Sequence, residues 1–277
     1  MRVLMFGWEF PPHIAGGLGT ACYGMTRGLA ENGVEVLFVM PSASGDEDQS
    51  SVRIINASDV AVDTMSETVD EFLGKVRFVH VGTNMVPYVS PEDFSSVVEE
   101  ERARQIKDFR ITYGQKYQFS GKYGTNLMEE VARYGMVGGT IALQHCDEFD
   151  VIHAHDWLTY LAGIAAKQLT GKPLVVHVHA TSFDRSSDDN IDTRVYDLEK
   201  RGMEAADRVI TVSELTRNIV INKYGIDPAK VVTVHNAVDF SGRAGITVQR
   251  GVKDKIVTLL GRVSYQKCAV YFIEAWA

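Results

Sequence analysis

The sequence predicts an α/β domain built on a doubly wound, mostly parallel sheet of the Rossmann-like kind. Three observations lead to this fold class. Short apolar runs recur along the chain, segments with helical periodicity lie between them, and glycine or polar clusters follow several of the runs directly. Continuous apolar runs are typical of strands buried on both faces of a parallel sheet. Their alternation with helices indicates right-handed crossover connections.

Each apolar run is assigned to a strand, and each helical pattern between two runs to a crossover helix. The predicted strands are residues 3–6, 34–40, 151–154, 174–178, 208–212, 231–234 and 256–260. The predicted helices are residues 20–31, 157–169, 192–206 and 214–223. Each helix can carry the chain back across the sheet, as two parallel neighbours require.

Two segments interrupt this alternation. The polar, acidic residues 42–51 are expected to form a mobile surface loop without a role of its own. Residues 56–146 form a long insertion with a predicted strand at 76–81 and predicted helices at 92–109 and 126–145. The aromatic residues of the insertion are expected to pack it onto the sheet, and stacking on sugar rings is the alternative. They are Tyr113, Tyr117, Phe119, Tyr123 and Tyr134.

The domain division follows from composition near the end of the chain. Residues 1–240 are predicted to be one domain, and the polar, glycine-containing residues 241–254 a linker. Residues 255–277 are expected to start a second domain of a truncated protein, because their apolar helix ends on Trp276 and Ala277 without a capping residue. Such an uncovered helix is expected to favour self-association.

Charge and cysteine content exclude several classes of partner. The net charge is −8 and no cluster of basic residues occurs, so nucleic acid and anionic membranes are not expected as partners. No apolar run reaches the ~18 residues of a membrane span, and the amino terminus has no signal-peptide pattern. Three cysteines at scattered spacings indicate reduced thiols, and hence a cytoplasmic protein.

A glycine cluster follows the first predicted strand. Gly16 and Gly17 precede the helix predicted from Thr20, where free amides and the positive helix end favour a phosphate group. The spacing differs from the GxGxxG pattern of dinucleotide folds, and a simple tight turn is an equal alternative.

Two pairs of histidines follow the next two strands. His153 and His155 precede Asp156 and Trp157, and His177 and His179 follow one strand later. Asp156 and His179 are the candidate catalytic residues, because ligands bind beyond the carboxyl ends of parallel strands. His153 and His177 are expected to be buried and hydrogen-bonded. No metal site is expected, since neither an HExxH motif nor a cysteine partner accompanies the histidines.

Later strand ends carry further polar residues. His155, Trp157, Ser213 and Asn236 are candidates for the acceptor side of a cleft, with helix N-capping as the simpler role for Ser213. Arg262 and Lys267 open the last helix, where they can reach a doubly charged phosphate group. A solvated surface pair is an equal alternative for these two cations.

Taken in order, these clusters resemble the GT-B glycosyltransferases of the glycogen and starch synthase type. The matching segments are residues 6–12 with 16–18, 151–157, 178–179, 206–213, 234–239 and 261–267. The resemblance implies transfer of glucose from UDP-glucose or ADP-glucose to an α-glucan, with retained anomeric configuration and without a metal ion or other cofactor. It also implies that this chain is one half of a two-domain architecture.

The resemblance further implies roles for individual residues. Gly16 and Gly17 resemble the loop that meets the donor phosphates and sugar, and Asp156 resembles the residue that orients sugar or acceptor hydroxyls. His179 resembles the residue that meets the donor sugar near its reacting carbon. Arg262 and Lys267 resemble the cationic pair on the departing diphosphate, where fixed charges act on the transition state.

Two departures from the family pattern limit what can be carried over. Cys268 stands where the family usually has glycine, and the paired-glutamate motif of the second domain is missing, so the chain is expected to be inactive by itself. Two alternatives stay open at this point. One is a non-catalytic carbohydrate-binding or regulatory domain complete at Ala277, and the other is a nucleotide-sugar epimerase of the same architecture.

Overall fold

Seven parallel strands form a single sheet in a computed structural model of the chain, in the order β3-β2-β1-β4-β5-β6-β7. The structure describes residues 1–62, 114–124, 127–186, 190–238, 251, 253–260 and 265–276. The strands are β1 (Arg2–Phe6), β2 (Glu35–Met40), β3 (Arg53–Asn56), β4 (Val151–His155), β5 (Leu174–Val178), β6 (Arg208–Thr211) and β7 (Val231–Thr233). The predicted doubly wound α/β class is therefore confirmed.

Helices connect these strands in the way that the apolar pattern predicts. They are α1 (Gly17–Glu31), α2 (Leu127–Gln144), α3 (Trp157–Thr170), α4 (Ser182–Arg185), α5 (Thr193–Ala205), α6 (Glu214–Tyr224) and α7 (Ala269–Trp276). Helices α3 and α6 end at Gly171 and Gly225, which have φ values of 70° and 71°. Glycine adopts this left-handed conformation without the steric cost that other residues carry.

The core lies on both faces of the sheet and differs between them. Helices α2, α3 and α5 contribute to the larger core, together with Leu4 and Phe6 of β1. Helix α1 contributes Cys22 to the smaller core on the other face, beside Val3 and Met5 of the same strand. Alternate residues of β1 thus face different helices, as the period of a strand requires.

Helices α2 and α3 pack closely because α2 carries glycines at the contact. A Cβ atom built on Gly138 would lie 2.6 Å from the Cβ of Ala162, and one on Gly135 would lie 3.0 Å from the Cβ of Leu161. Larger residues at Gly138 would force the two helices apart. This contact places α2, which belongs to the predicted insertion, on top of the sheet.

The elements predicted for the insertion are confirmed in part. The helix predicted at 126–145 is confirmed as α2, whereas the elements predicted at 76–81 and 92–109 lie outside the described residues. Tyr117, Phe119 and Tyr134 are buried in the core, so the packing interpretation of the aromatics is confirmed for these three. Tyr123 packs against the core from a half-buried position, and Tyr113 is outside the described residues.

Strand prediction failed at two places. Strand β3 was not predicted, because its four residues follow a polar loop and only two of them are apolar. The strand predicted at 256–260 is wrong, since these residues form no regular secondary structure and Leu260 is 93% exposed. A strand needs a neighbour for its backbone hydrogen bonds, and the described residues provide none for this segment.

The acidic loop at 42–51 is tied to the domain by its own carboxylates. Glu47 is buried and accepts hydrogen bonds from the amides of Ser44 and Gly45. Asp46 lies 2.8 Å from His13, and Asp48 accepts a hydrogen bond from Tyr23 of α1. The loop therefore holds the region around α1, a role that its polar composition did not indicate.

Apolar length and exposure bear on two further predictions. None of the described helices combines the length and the apolar character needed to cross a membrane. All three cysteines are free, and of these Cys22 is buried whereas Cys268 is exposed. The prediction of reduced thiols is consistent with these positions, but only Cys22 has the buried site expected for a small apolar residue.

Candidate active site

The strand order reverses between β1 and β4, and this reversal defines the site. The two strands pair in parallel, yet the chain leaves β1 towards α1 on one face and leaves β4 towards α3 on the other. The connections diverge at the carboxyl edge and leave a crevice, which is where open α/β sheets bind ligands. The turn at Gly16 and the residue Asp156 border this point.

Asp156 has a backbone conformation that is rare outside glycine. Its φ is 59° and its ψ is 168°, and this region costs on the order of 1–3 kcal/mol for other residues. Its side chain does not cap its own helix. Instead, Oδ1 accepts hydrogen bonds from the amides of His179 at 2.7 Å and Ala180 at 3.4 Å. The strained backbone aims the carboxylate across the edge of the sheet at the loop after β5.

The carboxyl group of Asp156 changes its charge at a pH close to neutral. Burial raises the pKa of this carboxyl to about 6, and the positive charge of Arg185 and the two backbone hydrogen bonds oppose that rise. Since the residue is only 7% exposed, small changes in its surroundings act strongly on its protonation. Such tuning of a carboxyl at a strand end is typical of functional sites.

His179 lies beside Asp156 and is held by a second histidine. Its Nε2 atom is 3.0 Å from Nδ1 of His155, so one ring donates a hydrogen bond and the other accepts it. Burial lowers the pKa of His179 to about 4, which makes the imidazole neutral at pH 7. His155 is fully buried and holds the ring of His179 through this hydrogen bond. It was predicted to line a cleft.

Four histidines cover one face of β4 and β5. This histidine face consists of His153, His155, His177 and His179. The ring centroids of His177 and His179 lie 4.3 Å apart, and those of His153 and His155 are separated by the same distance. Burial lowers the pKa of His153 and of His177 to about 3, so the stack is neutral at pH 7.

The expectation that His153 and His177 are buried is confirmed, but the expected hydrogen bonds are not found. Nε2 of His153 and both ring nitrogens of His177 have no hydrogen-bond partner among the described residues. The rings of His153, His177 and His179 are stacked face to face, and ring faces offer no donor or acceptor to a neighbouring ring.

The histidine face offers ligand atoms for a metal ion but not the right directions. One nitrogen each from His153, His155 and His177 lies within 4.8 Å of the others, and zinc accepts such a donor set. The planes of His153 and His177, however, are 8° apart and stacked at 5.6 Å. Because each lone pair lies in its ring plane, those of two stacked rings run side by side and do not converge on one ion. In the observed rotamers, the ring of His153 or of His177 would have to turn before both could bind one ion.

The turn before α1 is organised by a glutamate that the sequence analysis did not single out. Glu9 is 4% exposed and accepts hydrogen bonds from the amides of Ala15 at 2.7 Å and Gly19 at 3.2 Å. The prediction of free amides is thus wrong for Gly19. The amides of Gly17 and Leu18, in the first turn of α1, make no hydrogen bond to another described residue and are among the donors open to a ligand.

Gly16 and Gly17 lie at the first turn of α1, which begins at Gly17 and not at Thr20 as predicted. Gly16 is its N-cap residue and Gly17 is exposed. The glycine that sterics require is Gly19, where a Cβ atom would lie 2.5 Å from Ile14 and 2.9 Å from Glu9. The close approach of Glu9 to the helix thus depends on Gly19.

Trp157 and Ser213, two candidates for the acceptor side, contribute to the structure of the domain. Trp157 is 1% exposed and packs in the core, because it begins the helix that covers the sheet. Ser213 caps α6, and its side chain accepts a hydrogen bond from the amide of Thr216. Asn236, in contrast, is exposed after β7 at the same edge of the sheet as Asp156. Trp157 therefore contributes to the core of the described residues, and the capping role of Ser213 is confirmed.

The predicted cationic pair is only partly visible. Lys267 is exposed in the turn Tyr265–Lys267, which lies against α4, the short helix that follows His179. Arg262 lies outside the described residues. Cys268 has a φ of 54°, so the glycine that the family usually carries would fit this position with less strain.

Two further charged residues near Asp156 were missed from the sequence. Glu199 is 3% exposed within α5, and its partner Arg185 belongs to α4. A signal for Glu199 was present, since it lies four residues after Val195 and three before Gly202 on the buried stripe of α5. A carboxylate on an apolar stripe indicates a buried partner.

The fold is a Rossmann-like α/β domain with its candidate site at the switch point of the sheet. The family model described as "Starch synthase catalytic domain" matches residues 2–234, and the chain belongs to this family. The match covers every strand of the described sheet and ends one residue after β7. It therefore includes Gly16, Asp156 and His179 and excludes Asn236 and Lys267.

Comparisons with individual proteins agree with this family. The chain is 25% identical to an uncharacterized glycosyltransferase of Methanocaldococcus jannaschii, over 99% of this chain and 59% of that protein. It is 24% identical to a glycogen synthase of Mycobacterium tuberculosis, over 96% of this chain and 55% of that protein. The chain thus spans a little over half the length of these curated relatives.

Solved structures give the same fold. A sucrose-phosphate synthase from Thermosynechococcus elongatus superposes with a TM-score of 0.51 at 13% identity, covering 84% of this chain and 47% of that one. At this identity the likeness concerns the fold alone.

Proposed function

We propose that the chain is the acceptor-side part of a retaining glucosyltransferase that moves glucose from UDP-glucose or ADP-glucose to an α-glucan. The observation that carries the proposal is the pairing of Asp156 with the loop of His179 at the switch point of the sheet. The family match and the glycogen synthase among the relatives support the same reaction class.

Asp156 and His179 have complementary properties for handling a sugar. A carboxylate accepts hydrogen bonds from hydroxyl groups, and a neutral imidazole accepts or donates one without adding charge. In the proposed reaction Asp156 orients sugar or acceptor hydroxyls, and His179 meets the donor sugar near its reacting carbon. The low pKa of His179 supports this role, because the ring stays neutral at pH 7.

The donor phosphates are assigned to groups on both sides of the crevice. The open amides of Gly17 and Leu18 lie at the positive end of α1, which favours a phosphate. Lys267, together with Arg262, is assigned to the departing diphosphate, whose growing charge fixed cations stabilise. In this proposal the protein's own cations neutralise the leaving group, and no metal ion is needed.

The proposal also covers the parts of the enzyme beyond the central sheet. Residues 241–254 act as a linker and residues 255–277 belong to the donor-side domain, consistent with a family match that ends at 234. Efficient transfer then needs both halves together, so the chain alone is expected to be nearly inactive. The proposed compartment is the cytoplasm, and nucleic acid is not a proposed partner given a net charge of −8.

Self-association is proposed through α7. Its apolar residues are strongly exposed, with Val270 at 65%, Ile273 at 66% and Trp276 at 65%. Single exposed apolar residues are normal on proteins, whereas a contiguous apolar helix face favours contact with another apolar surface.

The test is a transfer assay on the protein as its cell makes it, with radiolabelled UDP-glucose or ADP-glucose and a maltooligosaccharide acceptor. We expect label in longer oligosaccharides with α-configured linkages. Asp156→Asn keeps the shape of the side chain and tolerates the positive φ, yet we expect it to lower transfer about 10²-fold because the charge is lost. Asp150→Asn, at the opposite edge of the sheet, is the matched control and is expected to leave transfer unchanged.

Other outcomes would favour the alternative functions. Saturable maltooligosaccharide binding without any transfer by folded protein would point to a carbohydrate-binding domain. Conversion of the nucleotide-sugar without an acceptor would point to an epimerase.

A further inference from the structure

Glu199 is a carboxylate in a place where burial is costly. It lies in the middle of α5 and is 3% exposed, among Val195, Leu198 and Met203. Moving a carboxylate out of water costs several kcal/mol unless charged and hydrogen-bonding partners compensate for it. An apolar residue at this position would fill the space at no such cost, so the contacts of Glu199 are the feature to explain.

The partners of Glu199 come from the loop after β5 and from α6. Oε2 accepts hydrogen bonds from the amide of Ser182 at 3.1 Å, from its hydroxyl at 2.8 Å and from the hydroxyl of Tyr224 at 2.5 Å. Oε1 forms an ion pair with the guanidinium of Arg185, which is itself 13% exposed. One buried carboxylate thus fastens both ends of α4 to α5 and α6.

The fastened loop is the one that holds Asp156. Ser182 lies two residues after Ala180, whose amide, with that of His179, donates to the Asp156 carboxylate. Arg185 also donates to the carbonyl of Ala180 at 3.4 Å. The loop is closed by a capping box between Thr181 and Asp184, which makes the segment a short rigid unit.

Electrostatics links the same residues to Asp156. After burial, the charge of Arg185 is the largest influence on the pKa of Asp156, and it lowers that pKa. The other groups that act on this carboxyl are Asp184 on α4, which raises its pKa, and the amides of His179 and Ala180, which lower it. Cys22 of α1 and Tyr160 of α3 also lie within electrostatic reach. Arg185 is the one cation in this set of described residues.

We propose that Glu199 is a positioning residue for the reaction, which acts through Arg185 and the 179–182 loop to hold the Asp156 carboxylate in place and in its charged form. The inference rests on the proposed function for its catalytic meaning, because Asp156 is the group that would meet the sugar. Its structural content, that Glu199 governs the state of Asp156, can be tested without any substrate.

The experiment is a pH titration of the Asp156 carboxyl carbon by NMR in the carbon-13-labelled 277-residue chain. Asp156→Asn assigns the signal by removing it. In Arg185→Gln we expect the midpoint to move to higher pH by about one pH unit, because a cation near a carboxyl holds its pKa down by about that much or more. In Glu199→Gln we expect a smaller shift in the same direction, since Arg185 loses the partner that fixes it near Asp156.

The double variant Arg185→Gln/Glu199→Gln separates positioning from general stability. If Glu199 acts through Arg185, the double variant titrates with the same midpoint as Arg185→Gln alone. It also removes both charges together, so it stays informative if Glu199→Gln fails to fold with an unpaired buried cation. Tyr224→Phe, which removes one hydrogen bond to Glu199 and no charge, is the matched control and should leave the midpoint unchanged.

The outcomes distinguish this inference from the proposed function. A Glu199→Gln protein that melts earlier but titrates like the wild type, or titrates at lower pH, overturns the inference and shows a purely structural role. An additive shift in the double variant overturns it as well. If the shifts occur as expected and the transfer assay gives no product, the positioning network stands and the glucosyltransferase proposal fails.

Discussion

Strands β4 and β5 present two buried faces that carry different side chains. The apolar face consists of Ile152, Ala154, Leu174, Val176 and Val178, all packed against the large core. The histidine face lies on the side of α1 and ends at Asp156 and His179. Burial of the first face stabilises the fold at any pH, whereas burial of the second requires its imidazoles to stay neutral.

The difference shows how one pair of strands serves both stability and chemistry. Apolar residues on one face fix the strands in the sheet, and this leaves the opposite face able to carry polar groups towards the carboxyl edge. Because burial of the histidine face requires neutral imidazoles, the stability of the molecule should depend on pH through this face.

Acidification should have the largest effect, and it acts through the histidine face. Native pKa values are about 3 for His153 and His177 and about 4 for His179, and that of His155 is well below its usual range. In the unfolded chain histidine titrates near 6.5. Below about pH 6.5 the unfolded state therefore binds protons that the native state does not, and stability falls as pH falls.

The expected slope is steep. Each histidine contributes about 1.4 kcal/mol per pH unit, so four contribute about 5 kcal/mol per unit between pH 6 and 4.5. Asp156 and Glu199, whose pKa values burial raises, oppose this and reduce the net slope. Urea unfolding in steps from pH 7.5 to 4.5 measures it. A free energy of unfolding that stays constant over this range would contradict the neutral histidine stack.

Truncation on the apolar face should have the next largest effect. Ile152 is fully buried in the large core, and Ile152→Ala is expected to lower the free energy of unfolding by about 2–5 kcal/mol through lost burial and a cavity. The pH slope should not change, because no titrating group is removed. Val232→Ala, at a position 49% exposed on β7, is the control and should change stability by less than about 0.5 kcal/mol.

Replacement on the histidine face should have the smallest effect on stability at neutral pH. Both nitrogens of His177 are buried without a partner among the described residues. Exchange of an unpaired polar ring for an apolar side chain of similar size is close to neutral, so His177→Leu should unfold within about 1.5 kcal/mol of the wild type at pH 7.5. Its pH slope should be smaller by about 1.4 kcal/mol per unit.

The last two variants form a direct comparison of the faces in one urea series. Ile152→Ala should lose stability equally at every pH, and His177→Leu should gain relative to the wild type as the pH falls. If His177→Leu is as damaging as Ile152→Ala at pH 7.5, the histidine face contributes packing or hydrogen bonds comparable to those of the apolar face.

Much of the fold could be predicted from the sequence because its signals are local. Apolar runs and helical periods identified the strands around Met5, Ile152 and Val176 and the helices between them, since burial on both faces leaves its mark in consecutive residues. Asp156 and His179 could be singled out for the same reason, as polar residues that directly follow an apolar run. Strand β3 was missed and a strand at 256–260 was wrongly predicted, because pairing, not composition, decides whether a short run becomes a strand.

The site itself needed the tertiary structure. The strand order that places β1 beside β4 depends on how segments more than a hundred residues apart pair, and no local pattern encodes it. The same holds for Glu9 at the start of α1, and for Glu199 beneath the loop after β5.

The sequence by itself determined the class of the fold, the family and the two residues at the strand ends, because each depends on residue types at short, fixed spacings. Only the tertiary structure decided that the backbone of Asp156 is strained and that His155 is hydrogen-bonded to His179. It also decided that Glu199 and Arg185 form a buried ion pair next to the loop after β5. These contacts join residues distant in sequence inside a medium of low dielectric, where geometry sets both hydrogen bonding and charge.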